Sequence, residues 1–171
     1  MSIEEFLSTT RAKWLYHFTD LANLPSIREY GLLPLRELRA RGIRPPKPGG
    51  NELSHNLDKH RSLDAYVHLC FKANHDMEKS ARREGRIGET RFLRIDVEVL
   101  RFQGVLGCPM VANGNDAVGQ IKPIEEALEV IDLDVLYGAF AISSPMRFIE
   151  IVRADSFSQP YSDDIKQGRL L

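Results

Sequence analysis

The sequence predicts one α+β domain over residues 1–171, in which short helices surround a β-sheet. Trp14–Phe18, Tyr66–Phe71 and Met146–Val152 have the apolar composition of strands, and Arg91–Leu100 alternates apolar with charged residues. Long helices do not separate these segments in a regular order, which argues against a doubly wound parallel sheet. A chain of 171 residues that is 43% hydrophobic is long enough to bury one core.

Charge and cysteine content narrow the class of protein. The net charge of −1 gives no general attraction to a polyanion, so a nucleic acid would have to be bound by a local basic surface. Cys70 and Cys108 lack metal-type spacing, and we expect neither a disulfide nor a metal site. The chain shows neither a signal peptide nor an apolar stretch of membrane-spanning length, so we expect a soluble, cytoplasmic protein.

The first strand leads directly into a capped helix. Trp14–Phe18 is aromatic or aliphatic except for His17. Thr19 or Asp20 is expected to cap the helix that follows, and Gly31 is expected to end it. His17 has two open interpretations: a hydrogen-bonded core histidine, or part of a pocket where the strand ends and the helix begins.

The remaining segments are predicted from turn and capping patterns. Residues 34–64 read as one long connection, and positive charge concentrates between positions 36 and 61, either on a solvated loop or on a binding surface. Met77–Glu84 is predicted to be a surface helix. Gly104–Gly119 is rich in Gly, Asn and Pro, and Val111–Val118 within it is predicted to be a loop. Ile124–Val130 is predicted to be a helix that begins at Pro123.

Glu150 is the residue whose position most strongly indicates chemistry. In a strand it would share a face with Phe148 and Val152, which leaves a carboxylate in an apolar row. Because a desolvated carboxylate is costly unless it is paired, such a position is typical of a functional site. The other interpretation is a strand at the sheet edge, where Glu150 meets solvent or pairs with an arginine for structural reasons.

These segments resemble the DarT group of bacterial DNA ADP-ribosyltransferase toxins. The matching blocks are Tyr16–Ile27, Gly31-Leu32, Asp64–Phe71 with Met77, Val111–Asn113 and Glu150–Val152. The resemblance implies an ADP-ribosyltransferase-type split β-sheet with short helices, in which NAD lies in a cleft between two small sheets. NAD would be consumed as a co-substrate, without a metal.

The resemblance also implies roles for individual residues. Glu150 would be the catalytic glutamate, and Arg61 would contact phosphate or the transferred group, with Arg44 as the alternative. The residues implied to bind NAD are His17, Thr19, Asn23, Tyr16 and Phe71. Apart from the resemblance, the basic residues between positions 36 and 61 offer a track for the phosphates of a single strand, and we expect Arg44, Lys47 and His60 to contribute to it.

The implied function is mono-ADP-ribosylation of a base in single-stranded DNA, by a toxin or phage-defence effector with an antitoxin partner of the ADP-ribose hydrolase type. The family carries a longer charged segment before the strand of the glutamate, whereas only Ala139–Arg147 intervenes here. The acceptor therefore stays open, with RNA or protein as alternatives. A catalytically silent nucleotide-binding module is the remaining interpretation.

Overall fold

The computed structural model describes residues 1–10, 12–50, 55, 59, 62–73, 76–111, 121–131 and 147–154, with 108–111 and 147–154 described by their backbone. Its helices include α1 (Ile3–Thr9), α2 (Leu24–Tyr30), α3 (Leu35–Ala40), α4 (Asp76–Arg83) and α5 (Ile124–Val130). Its strands are β1 (Trp14–Asp20), β2 (Tyr66–Cys70), β3 (Thr90–Asp96), β4 (Leu106–Val111), β5 (Lys122–Pro123) and β6 (Arg147–Ala154).

The strands form one antiparallel sheet in the order β3-β1-β2-β6-β4-β5. β1 pairs with β3 along its whole length, from Trp14 opposite Asp96 to Asp20 opposite Thr90. By contrast, the described register of β1 with β2 is the single pair Tyr16 and Cys70. The sheet is therefore split between β1 and β2, which confirms the predicted α+β class and its split-sheet form.

The core lies on the face of the sheet that carries Leu15, Leu69, Leu93 and Ile95, all of which are fully buried. Helix α1 closes one side of this core, because Phe6 packs edge-to-face against Phe71 with ring centroids 6.1 Å apart. Sequence analysis missed α1. Its signal was the Ser2-x-x-Glu5 spacing of a capping box, and the Ser2 hydroxyl does accept a hydrogen bond from the Glu5 amide at 3.1 Å.

The predicted capped helix is confirmed, with one refinement. Asp20, not Thr19, provides the cap: its carboxylate accepts from the Ala22 amide at 2.8 Å and begins a 3₁₀ turn, Leu21–Asn23, that leads into α2. Gly31 ends α2 with a φ of 87°, a left-handed conformation that favours glycine.

Two other predictions were wrong in part. Residues 34–64 are not one connection, because they contain α3, whose Arg36 and Arg39 bond the buried Asp64 at 3.1 and 3.3 Å. The alternating strand predicted to Leu100 ends at Asp96, whose carboxylate accepts from the Glu98 amide at 3.0 Å and starts a 3₁₀ turn. A local side-chain cap outweighed the strand pattern in this second case.

Sequence analysis also missed strand β4, Leu106–Val111, whose last residue is the first of the loop predicted for Val111–Val118. β4 pairs with β6 over six positions, from Leu106 opposite Val152 to Val111 opposite Arg147. This tertiary pairing outweighs the unfavourable local propensity of glycine and proline. Residues 112–118 of the predicted loop lie outside the described residues.

We expect Gly107→Ala to destabilise the fold by about 1–3 kcal/mol, because a β-carbon there would overlap the Ala127 β-carbon of α5. Urea unfolding of the two proteins measures the difference. The double variant Gly107→Ala/Ala127→Gly should recover part of the lost stability, since it removes the atom that overlaps. Equal losses in the single and double variants would contradict a steric origin.

Candidate active site

A cavity of about 410 Å³ occupies the split between β1 and β2, within the size range of small-molecule sites. β1 contributes His17, Phe18 and Thr19 to its wall, and β2 contributes residues from Tyr66 to His68 together with Cys70. The end of α2, the loop into α3 and the start of α3 add apolar side chains. The cavity thus combines an apolar lining with a few polar groups, as ligand sites usually do.

His17 lies at the point where the two strands diverge. Its Nδ1 donates a hydrogen bond to the carbonyl oxygen of His68 at 3.0 Å. This side-chain bond takes the place of a backbone hydrogen bond between the two strands. The carbonyl can only accept, which assigns a proton to Nδ1. The half-buried His17 ring is thereby held on the cavity wall, as the pocket interpretation of this residue requires.

Asn23 connects the start of α2 to the segment Pro45–Gly50, which we call the strap. The buried Asn23 amide donates to the Lys47 carbonyl at 2.7 Å and accepts from the Lys47 N–H at 3.0 Å. It also donates to the Thr19 hydroxyl at 3.1 Å. Both amide hydrogens are used within the protein. Asn23 therefore lines the cavity and orders its wall.

Arg86, which follows α4, reaches the other end of the strap. Its guanidinium donates to the Gly49 carbonyl and bonds the Glu84 carboxylate at 2.8 Å. Both Arg86 and Glu84 line the cavity. Sequence analysis missed Arg86, because nothing local in the charged stretch 82–86 distinguishes this arginine from its neighbours; only the fold brings it to the strap.

Asp20 fixes the end of β1 against the turn after α4. Besides the Ala22 amide, its carboxylate accepts from the Gly88 amide at 2.6 Å. These backbone hydrogen bonds favour the ionised form and hold the pKa of Asp20 below its ordinary value of 3.8. A lowered pKa stabilises the folded state above the unfolded-state pKa, and this contribution is lost as the pH falls through the folded-state pKa.

We therefore expect Asp20→Asn to be less stable than the wild type at pH 7 and to approach it in acid. The variant lacks the charge that the backbone amides bind, so it does not lose this contribution to its stability as the pH falls. Urea midpoints of both proteins at pH 7 and at successive values below 3.8 provide the measurement. A stability gap that is the same at every pH would contradict the assignment.

The backbone register locates Glu150 beside the cavity. Glu150 stands directly opposite Cys70 in β2, and Cys70 lines the cavity. On its other side Glu150 stands opposite Cys108 in β4, and Cys70 itself pairs with Tyr16. Position 150 is thus interior to the described sheet and not on an edge strand, which removes the solvent-exposed edge interpretation.

The structure groups some of the predicted residues and separates others. His17, Thr19, Asn23 and Lys47 all line the cavity. Phe71 is not among the residues that line it: its side chain is 1% exposed and packs against Phe6 in the core, and its assignment to NAD binding stays a prediction. Tyr16 and Arg44 are likewise not among the described residues of the cavity wall. Arg61 and His60 lie outside the described residues.

Lys47 lines the cavity, and its predicted contact with the phosphates of a nucleic acid stays a prediction. The arginines predicted to contribute to a basic surface, Arg36 and Arg39, are paired with Asp64, whereas Lys47 stands on the cavity wall. His68 also lines the cavity, and its Nε2 lies 3.4 Å from the Leu63 carbonyl. The alternation of β2 placed His68 on a strand face but did not show that this face borders a cavity.

A split antiparallel sheet with a cavity at the split is the fold of the ADP-ribosyltransferase class. Within that class, the chain belongs to the DarT family: the model of this family, described as ssDNA thymidine ADP-ribosyltransferase, DarT, matches residues 16–163. The family consists of NAD-dependent enzymes. The match confirms the family to which the sequence resemblance pointed.

A solved structure supports the fold. The chain superposes on Thermosipho africanus DarTG in complex with ADP-ribose with a TM-score of 0.58 and 19% sequence identity. The match covers 84% of this chain and 41% of that one, so this chain spans less than half the length of its structural neighbour. The search of curated proteins found no match.

The described residues show neither a candidate metal site nor a candidate membrane span. Among them, no three side chains of His, Cys, Asp or Glu come together in a group able to hold a metal ion. In the same part of the chain, no helix has both the length and the apolar character needed to cross a membrane.

Proposed function

We propose that this protein transfers one ADP-ribose unit from NAD to thymidine in single-stranded DNA. The observation that supports it most strongly is the family match over residues 16–163, because the family is described as ssDNA thymidine ADP-ribosyltransferase. The cavity at the sheet split agrees with it, because its wall combines apolar side chains with His17, Thr19 and the cation Lys47. We also propose that the reaction takes place in the cytoplasm, where NAD and DNA are both available.

The chemistry assigned to Glu150 follows from the bond that breaks. Cleavage of the bond between ribose C1 and the nicotinamide nitrogen leaves positive charge on the ribose, as in glycoside hydrolysis. A carboxylate beside C1 stabilises this charge. As the base attacks C1, the same carboxylate takes the proton that the base loses, and nicotinamide leaves neutral. We propose that Glu150 carries out both steps.

His17 and Thr19 are proposed to orient the nicotinamide end of NAD. His17 is held in place by its bond to the His68 carbonyl, and Thr19 by its bond from Asn23. Groups that are ordered before the ligand binds lose little entropy when it arrives, which favours affinity and alignment. Arg61 remains proposed as the phosphate-binding arginine from the sequence resemblance.

The experiment that tests this function uses a set of matched acceptors. The protein is incubated with NAD and one of four substrates: a thymidine-containing single strand, the same strand with each thymidine replaced by deoxycytidine, its duplex, and the corresponding RNA. Mass spectrometry should find one added ADP-ribose unit on the first substrate alone. Transfer to RNA or to protein would redirect the proposal to that acceptor, and no transfer to any acceptor would contradict it.

We also propose that an antitoxin partner of the ADP-ribose hydrolase type removes the modification, as the sequence resemblance implies. Covalent modification of bases blocks templated copying, so an active enzyme should stop the growth of a host that lacks such a partner. Induced expression of the wild type and of Glu150→Gln in the same host tests this. Equal growth of both cultures, at equal protein levels, would contradict a toxic activity.

A further inference from the structure

The strap, Pro45–Gly50, has the composition of a stiff segment over Pro45–Pro48 and ends in two flexible glycines, Gly49 and Gly50. Three of its six residues are prolines, which fix φ and favour extended backbone. Its C-terminal end is closely packed: a β-carbon on Gly50 would overlap the ring of His55, and one on Gly49 would lie 3.8 Å from the Phe18 ring. A stiff segment needs few attachments to be held in one position.

The strap has two such attachments, which come from different parts of the fold. Asn23, which precedes α2, bonds both the N–H and the C=O of Lys47 through one amide. Arg86, which follows α4, donates to the carbonyl of Gly49. Since Arg86 carries a charge, its bond to the carbonyl is of the stronger, charge-assisted kind. The two anchors are two residues apart on the strap.

Lys47 is the charged residue that the strap brings to the cavity. Its backbone is fixed by Asn23, while its side chain is exposed to solvent and lines the cavity. Its positive charge is the smallest of the causes that lower the pKa of Asp20, after the backbone hydrogen bonds from Ala22 and Gly88. A cation held on an ordered strap suits a pyrophosphate, which carries two negative charges.

We propose that Arg86 is a positioning residue for NAD: by holding the strap at Gly49, it places Lys47 where the ammonium group binds the pyrophosphate of the dinucleotide. This inference rests on the proposed function and assigns two residues within that site. Arg86 acts through the strap and not on the reacting atoms. We therefore expect substitution of Arg86 to lower the affinity for NAD and not the rate of the chemical step.

The test combines kinetics with direct binding in the full chain. In Arg86→Ala the strap samples more conformations, so the binding-competent fraction falls and the apparent affinity falls with it. We expect KM for NAD and the calorimetric Kd for ADP-ribose to rise about tenfold, with kcat at saturating NAD unchanged within about twofold. Peptide-level hydrogen exchange of the strap should become faster. Arg83→Ala is the control, since Arg83 is exposed and bonds Ser80 on its own helix.

A double-mutant cycle separates the strap from other roles of Arg86. Lys47→Gln alone should weaken ADP-ribose binding by a similar factor, and Arg86→Ala/Lys47→Gln should be no weaker than the worse single variant, because both remove one interaction. Lys47 is exposed, so Lys47→Gln preserves the fold and keeps the proposal testable if Arg86→Ala unfolds. Normal binding by Lys47→Gln would overturn the proposal on its own.

Other outcomes would overturn it as well. Additive losses in the double variant would mean that Arg86 acts independently of Lys47. A lower kcat with an unchanged KM would place Arg86 in the chemical step, and unchanged strap exchange would show that it does not hold the strap. If the wild type binds ADP-ribose but transfers no ADP-ribose unit from NAD to any acceptor, the proposed function fails. The binding and hydrogen-exchange measurements still decide this inference.

Discussion

Glu150→Gln is expected to reduce ADP-ribosyl transfer about 1,000-fold while NAD still binds. Glutamine has the shape of glutamate but no negative charge, so it neither stabilises the developing ribose cation nor accepts the proton of the attacking base. Initial rates of oligonucleotide modification at saturating NAD measure the loss in kcat, and calorimetry with NAD measures binding. The loss is confined to kcat because the charge is needed in the transition state.

The matched control for this variant is Glu126→Gln. Glu126 is an exposed glutamate in the first turn of α5, and the same substitution there removes the same charge from the protein. Its rate should equal that of the wild type. Glu150→Gln with a rate within about tenfold of the wild type would show that the carboxylate does not perform the chemistry, and would favour a binding module without catalysis.

His17→Ala is expected to raise KM for NAD about 10-fold to 100-fold. The substitution removes an imidazole from the cavity wall together with its 3.0 Å bond to the His68 carbonyl, which leaves that carbonyl without this donor. The loss of a polar contact and the lower order of the pocket both weaken the binding of NAD. The measurement is KM and kcat for NAD with the thymidine-containing oligonucleotide, alongside the thermal midpoint of the apo protein.

The conservative variant His17→Gln separates the two contributions. Its amide N–H can still donate to the His68 carbonyl, so the thermal midpoint should recover while much of the NAD affinity remains lost. Wild-type KM in both variants would contradict a place for His17 in the site. A KM that recovers fully in His17→Gln would limit the role of His17 to holding the two strands together.

Much of the fold was predictable because its signals are local. The alternation in Tyr66–Cys70 and the Asp20 cap depend on residues within a few positions of one another. The errors occurred where distant contacts decide the structure. β4 exists because it pairs with β6, and α3 is tied to the buried Asp64 more than twenty residues further along the chain.

The residues of the candidate site also divide into those with a local signal in the sequence and those that depend on distant contacts. His17 was detectable as a polar residue in an apolar strand, and Glu150 for the same reason. Arg86 and the strap were not, because their relation depends on a contact 37 residues apart in the sequence. Phe71 shows the opposite case: it is the last residue of the matching block Asp64–Phe71, but its side chain packs against Phe6 in the core.

The most direct test of the site is a crystal structure of Glu150→Gln with NAD bound. The variant should retain its substrate because it binds NAD but does not turn it over. The account predicts that the nicotinamide riboside lies in the cavity between β1 and β2, with His17 on one side and residue 150 within contact distance of ribose C1. NAD bound outside this cavity, or with C1 remote from residue 150, would contradict it.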